Sequence, residues 1–392
     1  MPSPTLQEIL RSAFPGYTEH HALPGYVRFA ARRIIQCRTE AMGGHAESCP
    51  QGHVQRVWYN SCKHRACPQC AALGREQWLQ KQKARFLNCD HYHVIFTVPE
   101  ELNDVWTHNK RRFADVLFRS VRDTLLSLLA DPKYLGAKPG LVMAMHTWGR
   151  NLIEHPHIHC LVTGGGLAED GSWKAVVKKC LLPRQVLMII FRGKLLSALR
   201  RAAERKELTL PGAMRPNQFL GLLNRLGRAV WNVKIMERYT SGLSVLTYLA
   251  CYLRGGPISN RRLLSFADGK VTFRYQDHRD LDPAGCPRSK VLELPTEEFL
   301  RRVLAHVPTP GVQMVRSYGL YASTKGEELT LARQQLGQEQ AIKPEPIRWQ
   351  DLLERLGHGD RDRCPVCGAI LIRCRVLARG PGPPVEQLEP AA

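Results

Sequence analysis

The sequence predicts an α+β or α/β fold, in which a small Cys/His module precedes a domain built on a small sheet. Three observations carry this. HYHVIFTVP, LVMAMHTW and HPHIHCLVTGGG are short apolar, β-branched runs that read as strands, and helical spacing intermixes with them. Five cysteines fall between Cys37 and Cys70, interleaved with histidine. At 392 residues and 44% hydrophobic content, the chain is long enough for more than one core.

In chain order, residues 1–36 read as helical and basic, ending in RFAARRIIQ. Residues 37–75 are rich in Cys and His and poor in periodic apolar pattern, and helix returns over 76–90. HYHVIFTVP (91–99) is a strand closed by proline, and residues 100–130 have helical spacing through VLFRSVRDTLLSLLA. LVMAMHTW (141–148) and HPHIHCLVTGGG (155–166) are further strands, and the intervening GRNLIE suits a hairpin. Residues 184–206 and 217–237 read as basic helices. SGLSVLTYLACYLR (241–254) reads as a helix stopped by Gly255-Gly256-Pro257. KVTFRYQDHR is a strand and EEFLRRVLAHV a helix. This divides the chain into a helical and Cys/His domain (1–90), a central domain (91–335) and a Pro- and charge-rich tail (336–392).

Lys and Arg number 56 against 35 Asp and Glu, a net charge of +21 that points to a polyanionic partner, nucleic acid first. No apolar run reaches the ~18 residues of a membrane span. The N-terminus lacks a basic region followed by an apolar one, so no secretion is expected. Thirteen cysteines in so long a chain are not a disulfide scaffold, and their clustering reads as metal binding in a reducing cytoplasm.

CPQC (67–70) is a metal knuckle, whose two thiolates from one tight turn fit tetrahedral zinc. Cys49 and His53 are the preferred partners, giving Cys49, His53, Cys67 and Cys70. Cys62 is the reserve, and Cys37 with His45 is a candidate pair for a second ion. CPVC (364–367) is a second knuckle without an obvious partner pair, for which Cys374 and His358 are candidates. All these ligands are Cys or His with no acid placed as a base, so the zinc is structural.

His157 and His159 share one face of a strand, where two imidazoles about 6–7 Å apart can converge on one divalent ion. If 149–154 form a symmetric hairpin loop, His146 pairs opposite His157 and becomes the third ligand. His91 and His93 are a rival pair; the apolar residues after them make His93 a core residue or a supporting partner.

Tyr248 and Tyr252 are neighbours on one helix face, nearly opposite a stripe of Leu243, Leu246, Leu249, Ala250 and Leu253. Packing is the commoner role of such a pair. Together with an ion site, however, it suits DNA strand transfer, where a divalent ion (Mg²⁺ or Mn²⁺) helps a phenolate displace a 3′-oxygen and leave a 5′-phosphotyrosine. No GxxxxGK[ST] loop is present, so no nucleotide cofactor is expected.

These motifs resemble a known family. HPHIHCLVTGGGL is similar to the histidine–hydrophobic–histidine (HUH) motif of single-strand-cutting endonucleases, and YLACY to the paired tyrosines of their two-tyrosine branch. The motif order, from YNSCKHRACPQC through HYHVIFTVPEEL, HTWGRNL, HPHIHC and YLACYLRGGPISNRRL to FLRRVLAHVPTPGVQMVRSYGLYA, resembles rolling-circle transposases of the insertion-sequence ninety-one type over roughly 20–340. The resemblance implies His157 and His159 as metal ligands, Tyr248 and Tyr252 as nucleophiles, and Cys49, Cys62, Cys67 and Cys70 in a zinc domain. It implies a bacterial, nucleoid-associated protein acting on single-stranded or hairpin ends of its own element. The chain departs from the family at Cys49-Pro-Gln-Gly52, where a Cys-x-x-Cys is usual.

Arg111 and Arg112, with Arg119 and Arg122, recur on one helix, followed by Arg200, Arg201, Arg205, Arg225, Arg228, Arg261 and Arg262. With the net charge they predict phosphate contacts, and Trp148 and Trp231 are candidates for base stacking. Two rival readings are a non-catalytic zinc-containing DNA-binding regulator, or an inactive remnant, and a divalent-metal phosphoester hydrolase.

Overall fold

The computed structural model describes residues 3–177, 180–212, 214–240, 246–247, 250, 256–340, 344–357 and 359–380. Tyr248 and Tyr252 lie outside the described residues.

Five strands, β3 (His91–Thr97), β4 (Gly140–Trp148), β5 (Glu154–Thr163), β8 (Val233–Tyr239) and β12 (Val315–Gly319), form the central sheet in the order β12-β4-β5-β3-β8. Every pairing in it is antiparallel. Alternation along the strands gives the sheet two different faces. Tyr92, Val94 and Phe96 with Leu141, Met143 and Met145 and with Ile158, Cys160 and Val162 face one way, into the largest apolar cluster. That side is covered by α5 (Lys110–Ala130), α6 (Arg184–Glu204) and α7 (Pro216–Leu226), through Phe113, Leu117, Phe191, Leu195 and Phe219. His93, His146, His157 and His159 alternate with those residues and stand on the opposite face.

The 217–237 stretch is not one helix. Gly227 caps α7, and β8 begins at Val233. There buried Val233 precedes exposed Lys234, and the β-branched Val233 and Ile235 register with Phe96 and Val94 of β3. Sheet pairing overrides the helical spacing read across this segment.

The N-terminal region holds α1 (Leu6–His20), α2 (Gly25–Ile35) and α3 (Ala71–Arg85) with β1 (Gly44–Ser48) and β2 (Gln55–Tyr59). Its sheet has the order β13-β1-β2, and the third strand, β13 (Ile372–Leu377), comes from the far end of the chain. Helices α1 and α2 also share a core with the meander β9 (Leu263–Ala267), β10 (Lys270–Leu281) and β11 (Pro287–Pro295) and with α8 (Thr296–Ala305), through Leu6, Ile9, Val27, Phe273 and Phe299. Among the described residues no helix is long and apolar enough to cross a membrane.

Candidate metal centres and nucleic-acid surface

The hairpin between β4 and β5 aligns three imidazoles. Gly149 N–H donates to the Ile153 carbonyl at 2.8 Å, and the register that follows pairs His146 with His157 and Ala144 with His159. One nitrogen each of His146, His157 and His159 lies within 4.8 Å of the others. Their neighbours fix the rings. His157 Nδ1 is 2.6 Å from the His155 carbonyl, so it carries the proton and leaves Nε2 as the ligand atom. His159 Nδ1 is 2.8 Å from Nε2 of His93, so a metal-ligating Nε2 on His159 requires Nδ1–H to donate to His93. His91, the other member of the rival pair, is placed elsewhere: its Nδ1 meets the Cys89 carbonyl, its Nε2 meets the Tyr321 hydroxyl, and its ring stacks on Phe86.

All three imidazoles are held neutral. Burial lowers His146 and His159 well below the ordinary value and brings His157 to about 4. The positive charge of Arg150 pushes all three in the same direction, and Lys234 acts likewise on His93, which burial brings to about 4. The site therefore offers imidazole lone pairs in an electropositive setting, which suits a metal-bound phosphodiester. On the same face, the helical residues Leu246 and Ala250 are buried in the apolar cluster that contains Val142, Ala144 and Leu161. Val142 and Leu161 are directly paired in the sheet, two residue pairs along from Ala144 and His159 and on the same face.

The cysteines separate into two groups, which corrects the set Cys49, His53, Cys67 and Cys70. Cys67 and Cys70 converge with Cys37 and Cys62. Cys37 and Cys70 sulfurs are 3.4 Å apart, Cys62 and Cys70 are 3.6 Å apart, and Cys67 and Cys37 are 3.8 Å apart. Four thiolates around tetrahedral zinc, each at about 2.3 Å, stand about 3.8 Å from one another. Cys37, just past the end of α2, reaches the knuckle because α1 and α2 pack in one core with Cys62 and Cys67. Cys49 and His53, on the turn between β1 and β2, lie instead beside Cys364 and Cys367. His45 is not the partner of Cys37, since its Nε2 meets the Glu47 carboxylate at 3.1 Å. Cys374 is exposed on β13 and donates to the Ala46 carbonyl, and His358 lies outside the described residues.

The arginines do not form one surface. Arg112 pairs with Glu207 and, with Arg119, Lys194, Arg201 and Arg205, lines a cleft between α5 and α6, on the side of the sheet away from the histidines. Arg111 is exposed at the start of α5. Arg261 is also exposed, whereas Arg262 donates to the carbonyls of Arg150, Pro257 and Arg274 and lies over the Phe273 ring. Arg262 thus ties the β4–β5 loop to the meander. Trp231 is buried with Nε1–H on the Leu226 carbonyl, so it is a core residue and not a stacking platform. Trp148 is half-buried and stacks on His146.

Residues 140–328, which carry the histidine hairpin, match the family described as "Putative transposase", and residues 9–98 match the family described as "Transposase zinc-binding domain". The chain is 36% identical to "Putative transposase y4qJ" of Sinorhizobium fredii over 374 residues, covering 93% of each chain. The chain belongs to the insertion-sequence ninety-one family of transposases. This transposase is also 28% identical to the "Transposase for insertion sequence element IS801" of Pseudomonas savastanoi pv. phaseolicola, over 87% of its own length and 81% of that protein's. Among solved structures it is similar to the conjugative relaxase TrwC in complex with oriT DNA. At 14% identity and a TM-score of 0.24, over 63% of this chain and 72% of that one, that likeness is too distant to carry an argument. As a member of this family the transposase has DNA as its substrate, and its N-terminal region is a zinc-binding domain.

Proposed function

We propose that this transposase nicks a single-stranded or hairpin end of its own element and transfers the strand through a 5′-phosphotyrosine, with Tyr248 and Tyr252 as nucleophiles and His146, His157 and His159 as ligands of a divalent ion. The observation that carries the reading is the convergence of three neutral imidazoles on one face of the sheet, beside Arg150.

The donor set suits an ion of intermediate softness. Three imidazoles without a carboxylate match Mn²⁺ better than Mg²⁺, which prefers oxygen ligands. A divalent ion held there would draw charge from the scissile phosphate. His157 and His159 present lone pairs, and Arg150 supplies a cation for the phosphate's remaining negative charge. A tyrosine oxygen forms the new bond to phosphorus and loses its proton to solvent. The phosphorus–O3′ bond breaks, and the 3′-oxygen leaves as a hydroxyl after taking a proton. The adduct keeps the bond energy for rejoining, so no nucleotide is consumed. The cysteine group around Cys37 is read as holding structural zinc, and the protein as acting at the bacterial nucleoid.

A labelled single-stranded oligonucleotide carrying the element's end tests this. The wild-type protein with Mn²⁺ should form a covalent adduct that survives denaturing electrophoresis. Tyr248→Phe or Tyr252→Phe alone should leave partial cleavage or block only joining, and the double variant should form none. An adduct that persists in the double variant would assign the nucleophile elsewhere. His157→Ala with His159→Ala should abolish cutting while DNA binding persists, because phosphate contacts come mainly from Arg and Lys.

A further inference from the structure

The zinc-binding match ends at residue 98, yet Cys49 and His53 within it have their nearest ligand-bearing neighbours more than 300 residues away. Cys49 Sγ is 3.5 Å from Cys367 Sγ and 3.7 Å from His53 Nδ1, and Cys364 Sγ is 4.0 Å from the same nitrogen. All four ligand atoms lie within 4.8 Å of one another. Zinc with sulfur at about 2.3 Å and nitrogen at about 2.0 Å needs separations of about 3.6–3.8 Å. A disulfide needs about 2.05 Å, so the observed sulfur spacing fits an ion between the thiols and not a bond.

The two segments are built alike. In Cys49-Pro-Gln-Gly-His53 the cysteine N–H donates to the Val54 carbonyl at 2.8 Å, and in Cys364-Pro-Val-Cys-Gly368 the cysteine N–H donates to the Ala369 carbonyl, also at 2.8 Å. Each turn closes with a glycine N–H on its first cysteine's carbonyl at 2.9 Å, and Gly52 (φ +75°) and Gly368 (φ +72°) take the left-handed conformation that this requires. Two such turns facing each other are the arrangement in which zinc knuckles share an ion.

The apolar core at this junction is small. The buried apolar residues at this junction are Cys49, Cys364 and Leu371, with Val54 packed against them. On β13, Ile372 is 57% and Val376 76% exposed. A core this small does not by itself hold a strand in place, and small modules of this kind are stapled by a metal.

We propose that Cys49, His53, Cys364 and Cys367 form a second structural zinc site, which clamps β13 onto the N-terminal sheet. Elemental analysis of the full chain should then give two zinc ions per molecule. His53→Ala and Cys367→Ser change exposed residues, so the fold should survive, and each variant should retain one. His53→Cys should restore two, with a purely sulfur first shell by X-ray absorption. Hydrogen exchange of the β13 amides should quicken by about tenfold or more in His53→Ala. One zinc in the wild type that is unchanged in Cys367→Ser would overturn the site, as would a Cys49–Cys367 disulfide in protein prepared with reductant. Loss of one zinc without faster exchange in β13 would overturn the clamp.

Discussion

Replacing His93 tests how the ion site is held without touching a ligand. His93 is buried, and its Nε2 lies 2.8 Å from His159 Nδ1. His93→Leu removes that acceptor at similar volume. The loss should resemble that of other partners that orient a metal-ligating histidine, about 10–100-fold in affinity, or about 1.4–2.7 kcal/mol. The cost of stranding a buried N–H, about 1–3 kcal/mol, agrees. Calorimetric titration of Mn²⁺ into protein that carries zinc at its cysteine sites only reads it directly. His93→Gln, whose amide oxygen can accept the same hydrogen bond, should recover most of the loss. Mn²⁺ affinity within about twofold of wild type in His93→Leu would refute the account of how His159 is oriented.

Cleavage should be faster with Mn²⁺ than with Mg²⁺ at equal concentration, measured as the initial rate of adduct formation, because the donors are imidazoles. Cys62→Ser should lose one zinc and lower the melting temperature, since Cys62 joins the metal group to the core of α1 and α2. Burial holds His91 and His306 at about 4 against an ordinary 6.5, so the unfolded chain binds more protons between those values. Stability should therefore be lost as pH falls from 6.5 toward 4, by about 1.4 kcal/mol per unit for each group. His306→Gln should flatten that slope in denaturant titrations followed by fluorescence. DNA affinity should fall steeply with added salt, because the charge of +21 contacts phosphate; an affinity that stays flat between low and high salt would count against this.

The histidine hairpin was legible because its evidence is local. A period of two puts His157 and His159 on one face, and a short loop fixes His146 opposite His157. The second partner of His159 was half legible: the apolar run after His93 marked it as interior, but only the pairing of β3 with β5 brings it to His159. The zinc groups were mis-sorted because spacing along the chain favours near neighbours. Cys37 stands alone in sequence and reaches CPQC through packing of α1 and α2, while CPVC finds its partners across the whole chain. Strands β1, β2 and β13 have too few buried apolar positions to show a strand pattern. The arginine clusters were read as one surface because sequence cannot show which side of a sheet a helix covers, and α5 and α6 cover the side away from the histidines.

The pairing of β1 with β13 also bears on synthesis. The N-terminal sheet cannot be completed until its third strand has left the ribosome, long after β1 and β2. Until then one edge of β1 exposes unpaired backbone groups, the kind of edge that invites association with other chains. Contacts of such long sequence separation also form late, after local structure has reduced the search. Completion of the N-terminal sheet is in this way deferred until β13 has been synthesised, and a chain released before it leaves that sheet open.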